Sequence, residues 1–273
     1  MAMLQSHDIS SASPRSIQRV RHPLAARRLD VLKVLRISPH FIRVTLGGAQ
    51  LDGFVSASFD DHFKLMLPAD PQGTLTLPAF GPNGPQWPAD GVRPVMRDFT
   101  PRFHDAVKRE LDVEFALHGE GPAAEWAAQA AKGQSVGVGG PRGSFIIPAD
   151  YDWHLLIGDE TALPAISRRL EELPRGAVVT AVLLTDDAAD RRVFHTNANL
   201  TEQWVSDADE LIDTVGKLQL PAGEGFGWAA GEAKTIAAVR QVLTGTHGMQ
   251  KDHLRTAAYW KRGATAHHEN LEG

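Results

Sequence analysis

Cysteine is absent from the 273-residue sequence, so disulfides, thiolate catalysis and cysteine-held zinc or iron–sulfur clusters are excluded. Electron chemistry would need a bound organic cofactor or a site of histidines and carboxylates. Long apolar runs are missing too: none approaches the roughly 20 residues that cross a bilayer. The opening MAMLQSHDISSASPRS lacks the apolar centre of a secretion signal. A cytoplasmic protein with no membrane contact is expected. Nor is there an excess of basic charge, and a net charge of −5 argues against a nucleic-acid partner. The chain has no G-x-S-x-G elbow, no G-x-x-x-x-G-K-[ST] loop and no H-E-x-x-H spacing among its twelve histidines, so esterase and ATPase readings lack support. No metal site is expected: Asp60-Asp61-His62 reads better as the start of a strand, and His267-His268 falls in the tail.

What is present suits two compact domains. Hydrophobic residues at 42% and charged residues at 22% are enough for a folded core in each. Arginines 15, 19, 21, 27 and 28 cluster near the start, with Ser and Pro between them, and read as a solvated arm. From Leu29 to Pro148 the pattern is antiparallel β. Short β-rich runs at Leu29–Ile37, Phe41–Leu46, His62–Leu67, Arg93–Thr100, Leu111–Leu117 and Gln134–Gly139 predict a six-stranded barrel. Pro68–Pro94 is rich in Pro and Gly and predicts a long loop or flap. One helix interrupts, over Gly121–Gly133, with proline in its first turn.

After Asp150 strands and helices alternate. Strands are expected at Trp153–Gly158, Val178–Thr185, Phe226–Ala230 and Leu254–Trp260, and helices at Thr161–Leu173 and Glu232–Leu243. That alternation means a parallel sheet with ligands at the carboxyl ends of its strands.

Several segments could carry chemistry. In Arg97-Asp-Phe-Thr-Pro-Arg102 the arginines could pair with phosphate, Phe99 could lie on a flat ring and Thr100 could donate; an ordinary strand edge is the alternative. His118-Gly-Glu-Gly-Pro-Ala-Ala-Glu-Trp126 puts glycines before a helix start, whose free N–H groups suit a pyrophosphate. Gly137-Val-Gly-Gly-Pro-Arg-Gly143 runs into a strand, so it is no dinucleotide fingerprint. It reads as a tight interdomain loop offering Arg142 to an anion, or as a plain hairpin turn. Gly158-Asp-Glu-Thr-Ala-Leu-Pro-Ala-Ile166 and Gly231-Glu-Ala each follow a strand, where a nucleotide phosphate would sit. Asp186-Asp187 could bind a ribose hydroxyl, while Arg191 and Arg192 could take a 2′-phosphate.

The ordered set RDFTPR, GPAAEWA, GPRGSF, GDETALPAI, WAAGEA and AAYWKRG resembles the siderophore-interacting, or ferric-siderophore reductase, branch of the ferredoxin-reductase-like flavoproteins, from about Arg19 to Gly263. The resemblance implies a Greek-key flavin-binding barrel over 18–148 and a Rossmann-like NAD(P)H domain over 149–273. It implies FAD at Arg97, Asp98, Phe99, Thr100, Phe115, Leu117 and His118 and along the helix start at Gly121, Pro122, Ala123, Ala124 and Trp126. The donor, NADPH with NADH as the alternative, would meet Asp159, Glu160, Thr161, Gly231 and Glu232. The flavin, not a catalytic side chain, would carry the chemistry, reducing the iron of a ferric siderophore or other ferric chelate held near Lys64, Arg142, Lys261 and Arg262. Phe99 replaces the family's usual tyrosine and Ala124 its frequent serine, which puts flavin affinity and potential in question. A flavin- or quinone-type reductase and a non-redox siderophore carrier fit the same residues. A monomer is expected.

Overall fold

The computed structural model describes residues 15–69, 75–81, 84–117 and 121–264, with the backbone of Glu269–Asn270. His118, His267 and His268 lie outside the described residues. The first half contains β1 (Gln18–Arg21), β2 (Ala26–Ser38), β3 (Phe41–Gly47), β4 (Phe63–Leu67), β5 (Ala79–Gly81), β6 (Gly84–Gln86), β7 (Val95–Phe99), β8 (Phe103–Asp105), β9 (Glu110–Ala116), α1 (Pro122–Ala128), β10 (Ser135–Gly139) and β11 (Gly143–Ile146). Seven of these strands form one curled antiparallel sheet in the order β7-β4-β10-β2-β3-β9-β8. Side chains two apart share a face of a strand, and this spacing builds the core: Leu29 and Val31, Val44 and Leu46, Leu65 and Leu67, Leu111 and Val113, Val136 and Val138 meet in one cluster.

The second half contains β12 (Trp153–Gly158), α2 (Leu163–Glu172), β13 (Val178–Leu184), β14 (Asn199–Val205), α3 (Ala208–Lys217), β15 (Gly225–Glu232), α4 (Ala233–Gly245), β16 (Leu254–Trp260) and β17 (Glu269–Asn270). The order is β14-β13-β12-β15-β16-β17, parallel except for β17. Every residue of β12 is buried because both faces of the sheet are covered. Leu156 packs with Leu163, Ile166 and Leu170 on one face, and Leu155 and Ile157 pack with Leu211, Val215, Ile236 and Val239 on the other. The chain starts at β12, runs outward to β14, then returns to β15 on the opposite side. The switch point, where such sheets bind ligands, therefore lies at the carboxyl ends of β12 and β15.

The halves are joined by a shared apolar cluster, in which Phe41, Phe59 and Ile147 meet Leu156 and Trp228, and by buried charge. Asp60 accepts from Trp228 Nε1 at 2.8 Å and pairs with Arg255. Glu114, with a fully buried side chain, is ringed by Arg43 at 2.6 Å, Arg192 at 2.5 Å and Arg102 at 3.5 Å. Arg168 of α2 donates to the Ser56 and Pro101 carbonyls.

Four expectations are corrected. The curled sheet has seven strands, since Phe103–Asp105 pairs with β9. The arginines near the start are only partly a solvated arm: Arg19, Arg21 and Arg28 are exposed, but Arg15 meets Asp152 at 2.9 Å and Glu224 at 3.1 Å, Arg19 lies over Phe145, and Arg27, 7% exposed, donates to the Gly53 carbonyl. Helix α1 stops at Ala128: the Gln129 and Ala130 N–H groups bond back only three residues, to the Trp126 and Ala127 carbonyls, and the chain then turns through Gly133 at φ 92° to enter β10. Strand β14 and helix α3 went unpredicted. One is a polar edge strand, and the other is a short helix announced only by Asp207, whose side chain accepts from Glu210 N.

Candidate functional site

A cleft of about 640 Å³ opens between the halves. The first half lines it with His62, Lys64, Arg97 and Arg142, the second with Tyr259 and Trp260, and the Pro/Gly-rich segment with Phe80 and Trp87. A second cavity of about 210 Å³ shares His62, Arg97, Asp98 and Tyr259 with the cleft and is lined further by Phe99, Thr100, Ala123, Glu160, Thr161 and Pro164. In the cleft three cations, Lys64, Arg97 and Arg142, stand against one carboxylate, Asp98. In a chain of net charge −5 this is a local basic patch, suited to an anion.

Pairing of β4 with β7 sets the geometry. Lys64 lies opposite Asp98 and Phe63 opposite Phe99, and the Lys64 ammonium donates to Asp98 Oδ2 at 2.7 Å. The other oxygen, Asp98 Oδ1, is buried with no partner among the described residues. The Phe99 ring is backed by Phe115, centroids 4.5 Å apart, and Phe115 by Trp126 at 5.5 Å. Thr100, 8% exposed, is hydrogen-bonded to the Tyr259 hydroxyl. Burial, aided by the charge of Asp60, pushes that phenol's pKa up. The first turn of α1 follows Gly121 with no side-chain cap.

The structure thus brings Arg97, Asp98, Phe99, Thr100, Ala123, Glu160 and Thr161 to one cavity, with Lys64 and Arg142 in the adjoining cleft. Other expected contacts stand elsewhere. Phe115 is 1% exposed and, like Leu117 and Trp126, packs in the first-half core, supporting the wall from behind. Gly121, Pro122 and Ala124 flank Ala123 without lining either cavity, and neither do Lys261 and Arg262.

Asp159, Gly231 and Glu232 form an internal fastening. Asp159 Oδ1 accepts from the Thr161 N–H at 2.9 Å and its hydroxyl at 2.6 Å, and Oδ2 accepts from the Glu232 N–H and from Trp260 Nε1, both at 2.8 Å. Burial pushes the Asp159 pKa up against these four donors. A Cβ on Gly231 would lie 2.5 Å from Asp159 Oδ2, so glycine alone allows the approach. Glu232 caps α4, accepting from Lys234 N at 2.7 Å and Thr235 N at 3.0 Å. Arg192 is committed to Glu114 and lies over Phe41, which takes it away from a 2′-phosphate, while Arg191 is exposed. Asp60 is fastened across the joint, and Asp61 Oδ2 accepts from Ser56, Ser58 and Ser144. A His40–Asp187–Asp190 group has metal-ligand spacing, but the oxygens of Asp190 already accept from Ser38 at 2.6 Å and from His40 Nδ1 at 2.7 Å.

Sequence reasoning missed Tyr259, Trp260, Phe80 and Trp87 as lining residues. The available signal was AAYW at the carboxyl end of the last parallel strand, where ligands gather.

The model of the siderophore-interacting FAD-binding domain matches residues 30–145, and that of the siderophore-interacting protein family matches residues 151–263. The NADPH-dependent ferric-chelate reductase of Escherichia coli (strain K12) is 38% identical over 253 residues, covering 91% of this chain and 98% of that protein. The ferric vibriobactin reductase ViuB of Vibrio cholerae is 33% identical, covering 89% and 93%. The crystal structure of a siderophore utilization protein from T. fusca superposes with a TM-score of 0.84 at 35% identity, over 91% of this chain and 97% of that one. With both halves matched in order and relatives above 30% identity along nearly the whole length, the chain belongs to the siderophore-interacting protein family.

Proposed function

We propose that this chain is an FAD-containing, NADPH-dependent ferric-chelate reductase that reduces siderophore-bound Fe(III) to Fe(II) and so releases it. The observation that carries the reading is the pair of adjoining cavities: a basic, aromatic-lined cleft shares a wall with a narrower slot that reaches the switch point of the parallel sheet. A carrier would need only the first. The names of the relatives, ferric-chelate and ferric vibriobactin reductases, support the same activity.

The residues fit FAD. Phe99, Ala116, Ala123 and Pro164 offer apolar surface for a flat ring, Asp98 Oδ1 is a buried acceptor lacking a donor among the described residues, and the uncapped start of α1 leaves N–H groups for a pyrophosphate. Bound there, FAD would supply the conversion of a two-electron donor, NADPH, into one-electron deliveries to iron. The chain's part is positional. Residues 18–148 form the FAD-binding domain and 149–273 the NADPH-binding domain, with Glu160 and Thr161 on the donor's side of the slot. Lys64, Arg97 and Arg142 draw an anionic chelate to the slot's edge. Iron needs no ligand from the protein, because the siderophore supplies oxygen donors; these hold hard Fe(III) tightly and Fe(II) weakly, so reduction loosens the complex. The protein works as a monomer in the cytoplasm, where the NADPH pool lies.

The test is the visible spectrum of FAD-treated protein, followed through addition of NADPH and then of a ferric siderophore with a ferrous-specific dye. Flavin absorbance that bleaches with NADPH and recovers as the dye colours is the expected result. Failure to take up FAD, or fast quinone turnover with no ferrous iron, would overturn the reading.

A further inference from the structure

Consecutive residues of a regular strand point to opposite faces, yet Tyr259 and Trp260 both line the cleft. The pairing of β15 with β16 explains how. Gly231 opposes Ala258 and Glu232 opposes Trp260, which leaves Tyr259 as the extra residue of a β-bulge. A bulge re-aims the side chains that follow it, and here it brings the Trp260 indole N–H to Asp159. A second tie closes the same corner, from the Arg262 N–H to Glu232 Oε1 at 3.4 Å. Trp260 is nevertheless 37% exposed. It is pinned at its nitrogen while part of its ring stays open to the cleft that holds Lys64, Arg97 and Arg142.

We propose that Trp260 is a specificity-determining wall of the chelate cleft, selecting chelates with aryl arms, and that Asp159 is the positioning residue that fixes its indole. The inference rests on the ferric-chelate reading of the cleft. A ring already fixed in one rotamer loses little conformational entropy when a ligand stacks on it, and an offset aromatic contact adds attraction that an aliphatic chelate cannot match. Asp159 suits the positioning role because all four of its partners are donors; it can accept the indole N–H only while its own place is held by Thr161 and Glu232.

The experiment titrates FAD-loaded protein, without NADPH, with the redox-inert gallium(III) complexes of catechol and of citrate, reading Kd by calorimetry. Trp260→Leu is expected to weaken the catecholate roughly five- to tenfold and the citrate less than twofold. Trp260→Phe, which keeps a ring but loses the N–H, falls between Trp260→Leu and the parent. Asp159→Asn weakens the catecholate as Trp260→Phe does, and the double variant is no worse than either single one, since both break the same bond. Equal losses for the two chelates in Trp260→Leu, or no loss, would reject the wall. Multiplying losses in the double variant would reject the positioning role. Trp260→Phe against Trp260→Leu still tests the wall if Asp159→Asn does not fold. A parent protein that binds neither complex would instead overturn the reading of the cleft itself.

Discussion

Helix α1 in the first half begins at Gly121 with no side-chain cap among the described residues, whereas at the corresponding turns of the second half Asp159 accepts from Thr161 and Glu232 accepts from Lys234 and Thr235. Both kinds of turn look alike in sequence, as a strand end, a glycine, polar residues and a helix. One leaves its donors open to a ligand. The other satisfies them from within, and its carboxylates serve as fasteners. The same division separates Arg142, exposed in the cleft, from Arg102 and Arg192, which are held around Glu114. Polar groups that the protein has already satisfied should therefore cost stability when removed, and those left open should cost binding alone.

Glu114→Gln tests the satisfied side most strongly. It leaves Arg43, Arg102 and Arg192 around a neutral group and should lower stability by about 3–5 kcal/mol, read as a shifted urea midpoint. Burial alone would raise the Glu114 pKa, but Arg192, Arg43 and Arg102 outweigh it and hold the carboxylate below its usual range. Its contribution is full above the ordinary glutamate pKa and is lost as acid protonates it. A loss under about 1 kcal/mol would mean that the ring of arginines is solvated and the division false.

His154 sharpens the comparison by pH. Buried at 2% exposure, with Nε2 donating to the Ala149 carbonyl at 3.3 Å, it has its pKa pushed down to about 4, first by burial and then by Arg169. The unfolded chain binds this proton near pH 6.5 and the folded chain does not. Stability from this group is therefore full above pH 6.5 and falls by about 3 kcal/mol toward pH 4. His154→Gln should flatten that slope in denaturation curves recorded across the window. An unchanged slope would assign the acid sensitivity to other groups.

Arg142→Ala should give the smallest stability change, within about 0.5 kcal/mol. It should still weaken binding of an anionic gallium chelate and make that binding less sensitive to salt. A fall in midpoint stability of 2 kcal/mol or more, about four times that bound, would show that Arg142 is a fastener like the others.

The fold was largely legible because its signals are local. Alternation at Leu29–Val31 and Val44–Leu46, and the switch to strand–helix periodicity after Asp150, follow from which faces must leave water. What went unread was pairing across long separations. Nothing near Asp60 announces that its partners are Trp228 and Arg255, and a short polar edge strand such as Asn199–Val205 carries almost no apolar period. For the site, Arg97 was singled out from its place at a strand end, Arg142 from its loop and Lys64 only through the family resemblance, and all three line the cleft. That Asp159 accepts from Trp260 and Glu232 was not readable, because a carboxylate after a parallel strand reads the same whether it faces a ligand or a tryptophan.

The clasp of Asp60 on Trp228 and Arg255 also bears on modularity. The curled antiparallel sheet and the parallel sheet look like parts that recombination could exchange, since the chain passes from β11 to β12 through a short connection. A chimera made there would keep each sheet intact but could bury Asp60 beside a second half with no indole or guanidinium to meet it. A graft that keeps this joint would therefore have to carry the residues at 60, 228 and 255 together.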